Sequence, residues 1–293
     1  MKASTSAFLA IIGASLFFSL APITSKILYR SFEPMPLAFL RVLFASILIL
    51  PIFFAQRISL LKTMKTVWPY TIFSALNILF FYLGLIRTTV DSSVIIYCNV
   101  PLVTAILSYF FIKERLSTKK QIGILVGFLG IILVVILPLF QKGIKTGDLT
   151  GNLLILIASF MWAIHGILSK KIIEKGFSPI TVSTISFIVA TIILLVGSLF
   201  FAKKNFISPI FTDNNLFFLL LLGLVSVGGY ILMQWAIKHT SATITSLSQY
   251  VQPILAIPLA ALFLDEKITV EFLIGSALVL AGVFIATYKI NSS

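Results

Sequence analysis

Polar residues buried in long apolar runs need a chemical reason, because an unpaired hydroxyl or amide is costly in hydrocarbon. Ser93, Tyr97 and Pro101 fall at i, i+4 and i+8 and so share one helical face. Thr245, Gln249 and Pro253 repeat that spacing, with Gln252 beside them. Tyr82 and Gln234 occupy matching places in the preceding runs. Hydroxyls and amides on one face can hold a polar solute by neutral hydrogen bonds. They supply no nucleophile paired with a base and no metal-ligand set. Pro101 and Pro253 each remove a backbone donor in mid-run, so each frees a carbonyl that a neighbour or a cavity must satisfy. The expectation is a paired wall on kinked helices. The alternative is ordinary helix-to-helix hydrogen bonding, worth about 0.6 kcal/mol per contact in a bilayer.

Other residues invite sharper chemistry. His165 lies deep in an apolar run and is either a proton-coupling group or a neutral imidazole bonded to a neighbour. Trp162, Tyr230 and Trp235 suit aromatic walls for a flat solute, although Trp235 equally suits an interfacial belt near a helix end. Asn77 and Asn99 rank lower, because Gly229 and Val251 stand at their matching places. Arg41 is expected to snorkel to the surface, with capture of a substrate carboxylate as the alternative. Glu114 and Glu266 resemble a catalytic pair, but they fall in separate turns and cannot act across one bond. They are expected to pin those turns. Cys98 is the single cysteine, so neither a disulfide nor a thiolate metal site is available. No metal or other cofactor is expected.

The elements that position these residues follow from composition. The 293 residues are 59% hydrophobic and only 11% charged, with a mean hydropathy of +1.11. A soluble domain carries about 25% charged residues, so the lipid bilayer is the natural solvent. The net charge of +13 does not indicate nucleic acid, because its basic residues sit at the ends of apolar runs, where they orient membrane helices. A ruler of about 20 apolar residues gives ten spans, near 5–28, 34–55, 67–87, 91–112, 120–139, 149–170, 179–201, 215–237, 242–264 and 270–288. The first run is taken as a helix, since no small-residue cleavage site punctuates it. The basic bias of the connecting segments places both termini in the cytoplasm.

The chain also repeats itself. A shift of 152 positions superimposes Pro101 on Pro253, Gly123 on Gly275, Gly130 on Gly282 and Thr88 on Thr240. Towards each repeat's start, Ala14-Ser15 matches Ala158-Ser159 and Ser25-Lys26 matches Ser169-Lys170. Phe32-Glu33-Pro34 then matches Phe177-Ser178-Pro179 after a one-residue slip. The first repeat is read as 5–140 and the second as 149–289, with five helices each. Five is odd, so the second copy enters from the opposite face. The expected fold is an all-α membrane protein of ten transmembrane helices in two inverted five-helix repeats. Such halves can exchange conformations, the pair of states that alternating access requires.

The runs Thr88-Thr89-Val90-Asp91-Ser92-Ser93, Pro101 and Phe111-Ile112-Lys113-Glu114-Arg115-Leu116-Ser117 resemble the EamA repeat of the drug/metabolite transporter superfamily. So do Thr240-Ser241-Ala242-Thr243, Pro253 and Phe263-Leu264-Asp265-Glu266-Lys267-Ile268-Thr269, and the Phe39-Leu40-Arg41 segment. The resemblance implies a secondary transporter of the cell's inner membrane with a central cavity. Its members move amino acids, other metabolites and drugs, often outward. The expected partner is a small-molecule solute. The competing readings are a passive channel or a non-transporting receptor on the same bundle, and an intramembrane enzyme. The last would need a clustered His, Asp and Glu set, and the chain has two histidines, His165 and His239. No phosphate-binding Gly-Lys-Ser/Thr loop is present, so ATP is not an expected cofactor.

Overall fold

In the computed structural model, residues 2–88, 90–113, 115–132, 148–202, 205–255 and 270–287 are described. Glu114 and Glu266, expected to pin turns, lie outside them. Among the described residues there is no strand. The helices are α1 (Lys2–Leu28), α2 (Pro34–Phe54), α3 (Leu60–Leu85), α4 (Val90–Tyr97), α5 (Val100–Ile112), α6 (Thr118–Ile131), α7 (Leu149–Glu174), α8 (Pro179–Phe201), α9 (Asn215–His239), α10 (Ala242–Ser246) and α11 (Val270–Thr287). Helical backbone also covers 248–255.

Local chemistry sets many of these boundaries. Ser178 caps α8 by accepting from the Thr181 N–H at 3.1 Å, with Pro179 at the first helical position. Asp148 caps α7 through the Gly151 N–H at 2.6 Å. The αL residue Lys113 ends α5, its N–H reaching back to the Ser108 carbonyl. Gly176, with φ of +97°, lets the chain turn after α7.

Among the described residues, seven segments are long and apolar enough to cross a membrane: those of α1, α2, α3, α7, α8 and α9, and the run Ser92–Ile112. The expected ten spans are therefore described in part. The 91–112 span is interrupted at Cys98–Asn99, just before the donor-less Pro101. Its counterpart breaks earlier, at Leu247, and Pro253 sits inside the helical stretch that follows.

The outer surface is apolar. Phe110, Phe111, Phe200, Phe201, Phe211 and Leu149 each expose about 70% or more of their area, as suits a lipid-facing wall rather than a wet one. Several inward-pointing hydroxyls discharge their hydrogen bonds on their own helix. Ser25 donates to the Ala21 carbonyl, Ser186 to Val182 and Ser198 to Leu194. A donor so spent does not need water.

The main packing partners join early helices to late ones: α1 with α9, α3 with α7, α2 with α8, and α6 with α11. The α6–α11 contact brings backbone against backbone. A Cβ on Gly123 would stand 2.7 Å from the Gly282 carbonyl oxygen, and one on Gly130 would stand 2.6 Å from that of Gly275. Under the 152-residue shift Gly123 matches Gly275 and Gly130 matches Gly282. Each glycine therefore meets the match of the other, the reciprocal pattern of a two-fold contact.

Candidate functional site

The principal cavity has a volume of about 60 Å³ and lies among α1, α2, α3, α4, α7, α9 and the 248–255 segment. It can hold several waters, each needing roughly 10–15 Å³. Of the residues expected to form the wall, Ser93, Tyr97, Trp162, Tyr230, Gln249 and Gln252 line it. The α4 break turns Tyr97 into the site, where its hydroxyl accepts from Asn77 Nδ2 at 2.6 Å. The same Asn77 nitrogen reaches the Ala158 carbonyl at 2.8 Å, tying α3 to α7. Gln249 and Gln252 are joined to each other, Gln252 Nε2 donating to Gln249 Oε1 at 2.7 Å. Ser93 spends its hydroxyl on the Val90 carbonyl. Phe18, Trp162 and Tyr230 meet edge-to-face, at 5.4–5.9 Å between centroids. Tyr230 is held by Ser74, 2.9 Å from its hydroxyl.

The other expected residues sit elsewhere. Tyr82 is fully buried, with its hydroxyl 2.8 Å from Ser25 Oγ. Gln234, its match, donates to Ser169 Oγ at 3.0 Å and lies 3.2 Å from His165 Nε2. His165 packs against Trp162 and Tyr230 without joining the cavity lining. As a partner of the Gln234 amide N–H, His165 Nε2 acts as the acceptor, which puts the neutral ring's proton on Nδ1. Trp235 stacks on His239 at 3.9 Å, near the end of α9. Thr245 lies 3.2 Å from Thr240 Oγ1 and faces a second cavity of about 10 Å³.

That second cavity is related to the first. Its lining includes Trp162, Gly166, Met233, Thr245 and Ser246, which match Phe18, Pro22, Phe81, Ser93 and Val94 of the principal cavity. The larger can take several waters and the smaller at most one.

The lysines beside Ser25 and Ser169 also behave alike. Lys26 Nζ donates to the Leu85 and Thr88 carbonyls at 2.7 and 2.9 Å, closing the end of α3. Lys170 Nζ donates to those of Ile237 and Thr240, both at 3.2 Å, at the end of α9. A cation there meets the negative end of the helix dipole and satisfies carbonyls that have no intrahelical partner.

The family profile described as the EamA-like transporter family matches residues 5–136 and 149–288, nearly the whole chain. The chain belongs to the EamA-like transporter family. Among its relatives is the uncharacterized transporter YyaM of Bacillus subtilis (strain 168), 27% identical, with 96% of this chain and 93% of that protein covered. The uncharacterized transporter YoaV of the same organism is 26% identical, with 97% of each covered. An uncharacterized transporter of Archaeoglobus fulgidus is 27% identical, over 90% of this chain and 91% of that one. A solved crystal structure superimposes with a TM-score of 0.75 at 16% identity, covering 98% of this chain and 97% of that chain, which establishes a shared fold. With several long apolar helices, this EamA-like chain is an integral, multi-pass membrane protein and a membrane transporter by family.

Two residues that the sequence reading set aside line the cavity of this EamA-like protein: Arg41 and Asn77. Arg41 is 7% exposed and does not snorkel outward. Its Nε donates to Ser226 Oγ at 2.8 Å, and its guanidinium carbon lies 5.8 Å from the Tyr82 ring centroid. A lone charge in an apolar run was the available signal. Asn77 was set aside because Gly229 stands at its match, yet Gly229 is what admits Phe18. A Cβ there would stand 2.5 Å from Phe18 Cε1.

Proposed function

We propose that this chain is a secondary transporter that moves a small organic metabolite, an amino acid or similar compound, by alternating access. In this reading it has ten spans arranged as two inverted five-helix repeats, 5–140 and 149–289. It sits in the cell's inner membrane with both termini cytoplasmic, and export is its working direction. The matched contacts of Lys26 with Lys170, and of Ser25–Tyr82 with Ser169–Gln234, support the repeat.

One observation carries the mechanism: two cavities lined by matching residues, one about 60 Å³ and the other about 10 Å³. Halves that exchange conformations would exchange these volumes, closing the first cavity and opening the second. With the termini inside, the larger cavity lies towards the ends of α1 and α3 on the outer side, so the arrangement is outward-facing. Tyr97, Gln249, Gln252 and Ser93 then contact the solute. Tyr82, Gln234 and His165 brace the wall from behind. Pro101 and Pro253 weaken the helices where they must bend.

The test is solute counterflow in proteoliposomes holding the purified protein. A carrier shows saturable uptake that is stimulated by the same solute on the far side. Uptake linear in concentration, without trans-stimulation, would establish a channel instead. Binding without any flux would establish a receptor.

A further inference from the structure

We propose that Arg41 is an anion subsite in the principal cavity and that the solute it takes carries a carboxylate on a flat, apolar body. This rests on the carrier reading of the same cavity. Arg41 is a buried cation one-third of the way along α2, in a helix long and apolar enough to span a membrane. Holding a charge there is expensive unless something pairs with it. Among the described residues no carboxylate does so, and the only hydrogen bond Arg41 makes is from Nε to Ser226. The two Nη groups, the fork that receives a carboxylate side-on, make none. Among the described side chains no Asp or Glu lines the cavity. The Tyr82 ring offers its π-face to the cation, 5.8 Å from ring centroid to guanidinium carbon. The arrangement holds the guanidinium by one nitrogen and leaves its bidentate edge unspent.

The rest of the lining suits the body of such a solute. Phe18, Phe81, Trp162 and Tyr230 supply ring surface, and the amide of Gln249 keeps its Nε2 donor after pairing with Gln252 through Oε1. Among the described side chains of the lining none offers a carboxylate to an ammonium group. An aromatic or aliphatic acid therefore fits better than the corresponding amine. The matching place in the second repeat, after the one-residue slip, is Ser186, which donates to its own helix. The charge thus belongs to one cavity of the pair.

The test uses purified full-length protein in detergent, with thermal stability read against phenylacetate, phenylacetamide and phenethylamine. Ligands of the native state raise its melting temperature. Phenylacetate should bind roughly ten- to hundredfold more tightly than the amide, the size of a lost charge-assisted hydrogen bond. Arg41→Gln should erase that preference, and Arg41→Lys should keep part of it, since a point charge lacks the fork. Equal shifts from all three compounds, no shift from the acid, or a preference that survives Arg41→Gln would overturn the assignment. If Arg41→Gln does not fold, the acid-against-amide comparison on the wild-type protein decides alone. Counterflow separates this proposal from the one beneath it. Phenylacetate binding without counterflow removes the carrier and leaves the subsite. Counterflow of the amine or amide without phenylacetate binding leaves the carrier and removes the subsite.

Discussion

In the first half of the chain, Ser25 meets Tyr82 while Lys26 closes the end of α3; in the second, Ser169 meets Gln234 while Lys170 closes the end of α9. The backbone groups receiving these lysines, Leu85 and Thr88 against Ile237 and Thr240, are themselves matched positions. At the cavity the likeness stops. Arg41 stands where the other half has Ser186, Asn77 where it has Gly229, and Phe18 where it has Trp162. Contacts that close helix ends and pack helices recur, because both halves must solve the same problem of unsatisfied backbone in lipid. Contacts that line the cavity differ, and nothing in the closing of helix ends requires them to match.

The largest expected effect lies where α6 crosses α11. A Cβ on Gly282 would stand 2.5 Å from Gly127 N and 2.6 Å from the Gly123 carbonyl oxygen, both of them backbone. Gly282→Leu should therefore cost about 3 kcal/mol, the upper end for overpacking, read as a fall in melting temperature in detergent. Gly166→Ala is the internal control. Nothing lies within 4 Å of its Cβ position, so it should be neutral or stabilise α7 by about 0.5–1 kcal/mol. A Gly282→Leu protein that melts like the wild type would show that the reciprocal glycine contact is not a framework element.

Next come the lysines. Lys26→Met and Lys170→Met each remove two hydrogen bonds from helix-end carbonyls, and each should cost about 1–2 kcal/mol. The comparison predicts the same sign in both halves and an order. Lys26 has the shorter bonds, 2.7 and 2.9 Å against 3.2 Å twice. Lys170 also divides itself with Glu174, 3.7 Å away. Lys26→Met should therefore be the more damaging. Melting curves in the reverse order would mean that the two caps are not equivalent.

A smaller effect is expected where the halves differ. Asn77→Ala removes the bridge from α3 to Tyr97 and Ala158. It should lower solute flux by about tenfold, the worth of one or two hydrogen bonds, while protein abundance stays unchanged. Gly229→Ala should instead act by displacing Phe18. If Asn77→Ala transports normally, the asymmetric wall reduces to a packing detail.

These residues also show what could be read from the sequence. Apolar runs of about 20 residues and the 152-residue shift disclosed helical membrane spans and the glycines of α6 and α11, because hydropathy and backbone approach are local properties. The same shift, used as a filter for polar pairs, recovered Tyr97 with Gln249 as cavity residues. It also passed Tyr82 with Gln234, which face inward to Ser25 and Ser169 instead. Polarity at matched positions marks a shared hydrogen-bonding need, and bracing meets that need as well as binding does. The filter ranks Asn77 too low and undervalues Arg41 for the converse reason. Their partners, Ala158 and Ser226, are far along the chain, and no periodicity signals such a contact. The breaks at Cys98–Asn99 and Leu247 were equally hidden, since prolines at matched positions do not impose matched interruptions.

The smallest effect concerns an exposed ion pair that joins the end of α3 to the start of α7. Arg87 Nη2 lies 2.9 Å from Asp148 Oδ2, and the Asp148 N–H donates to the Arg87 carbonyl at 3.1 Å, so α3 is clasped to the start of α7. The Arg87 side chain, followed by the Gly151 N–H, holds the Asp148 carboxyl below the usual carboxylate range. A carboxylate with a depressed native pKa stabilises fully above its unfolded value, near about 3.9. That stability is lost as pH falls through the lower native value. Asp148→Asn should thus melt slightly below the wild type at neutral pH, and the gap should close in acid. Both side chains are about half exposed, so added salt should shrink the neutral-pH gap as well. No matching pair exists among the described residues at the end of α9, where His239 occupies the place of Arg87 and its Nδ1 lies 2.8 Å from the Trp235 carbonyl. A gap that persists unchanged into acid would show that the Asp148 effect does not depend on its charge, and would make this end of the molecule more like its counterpart than the ion pair suggests.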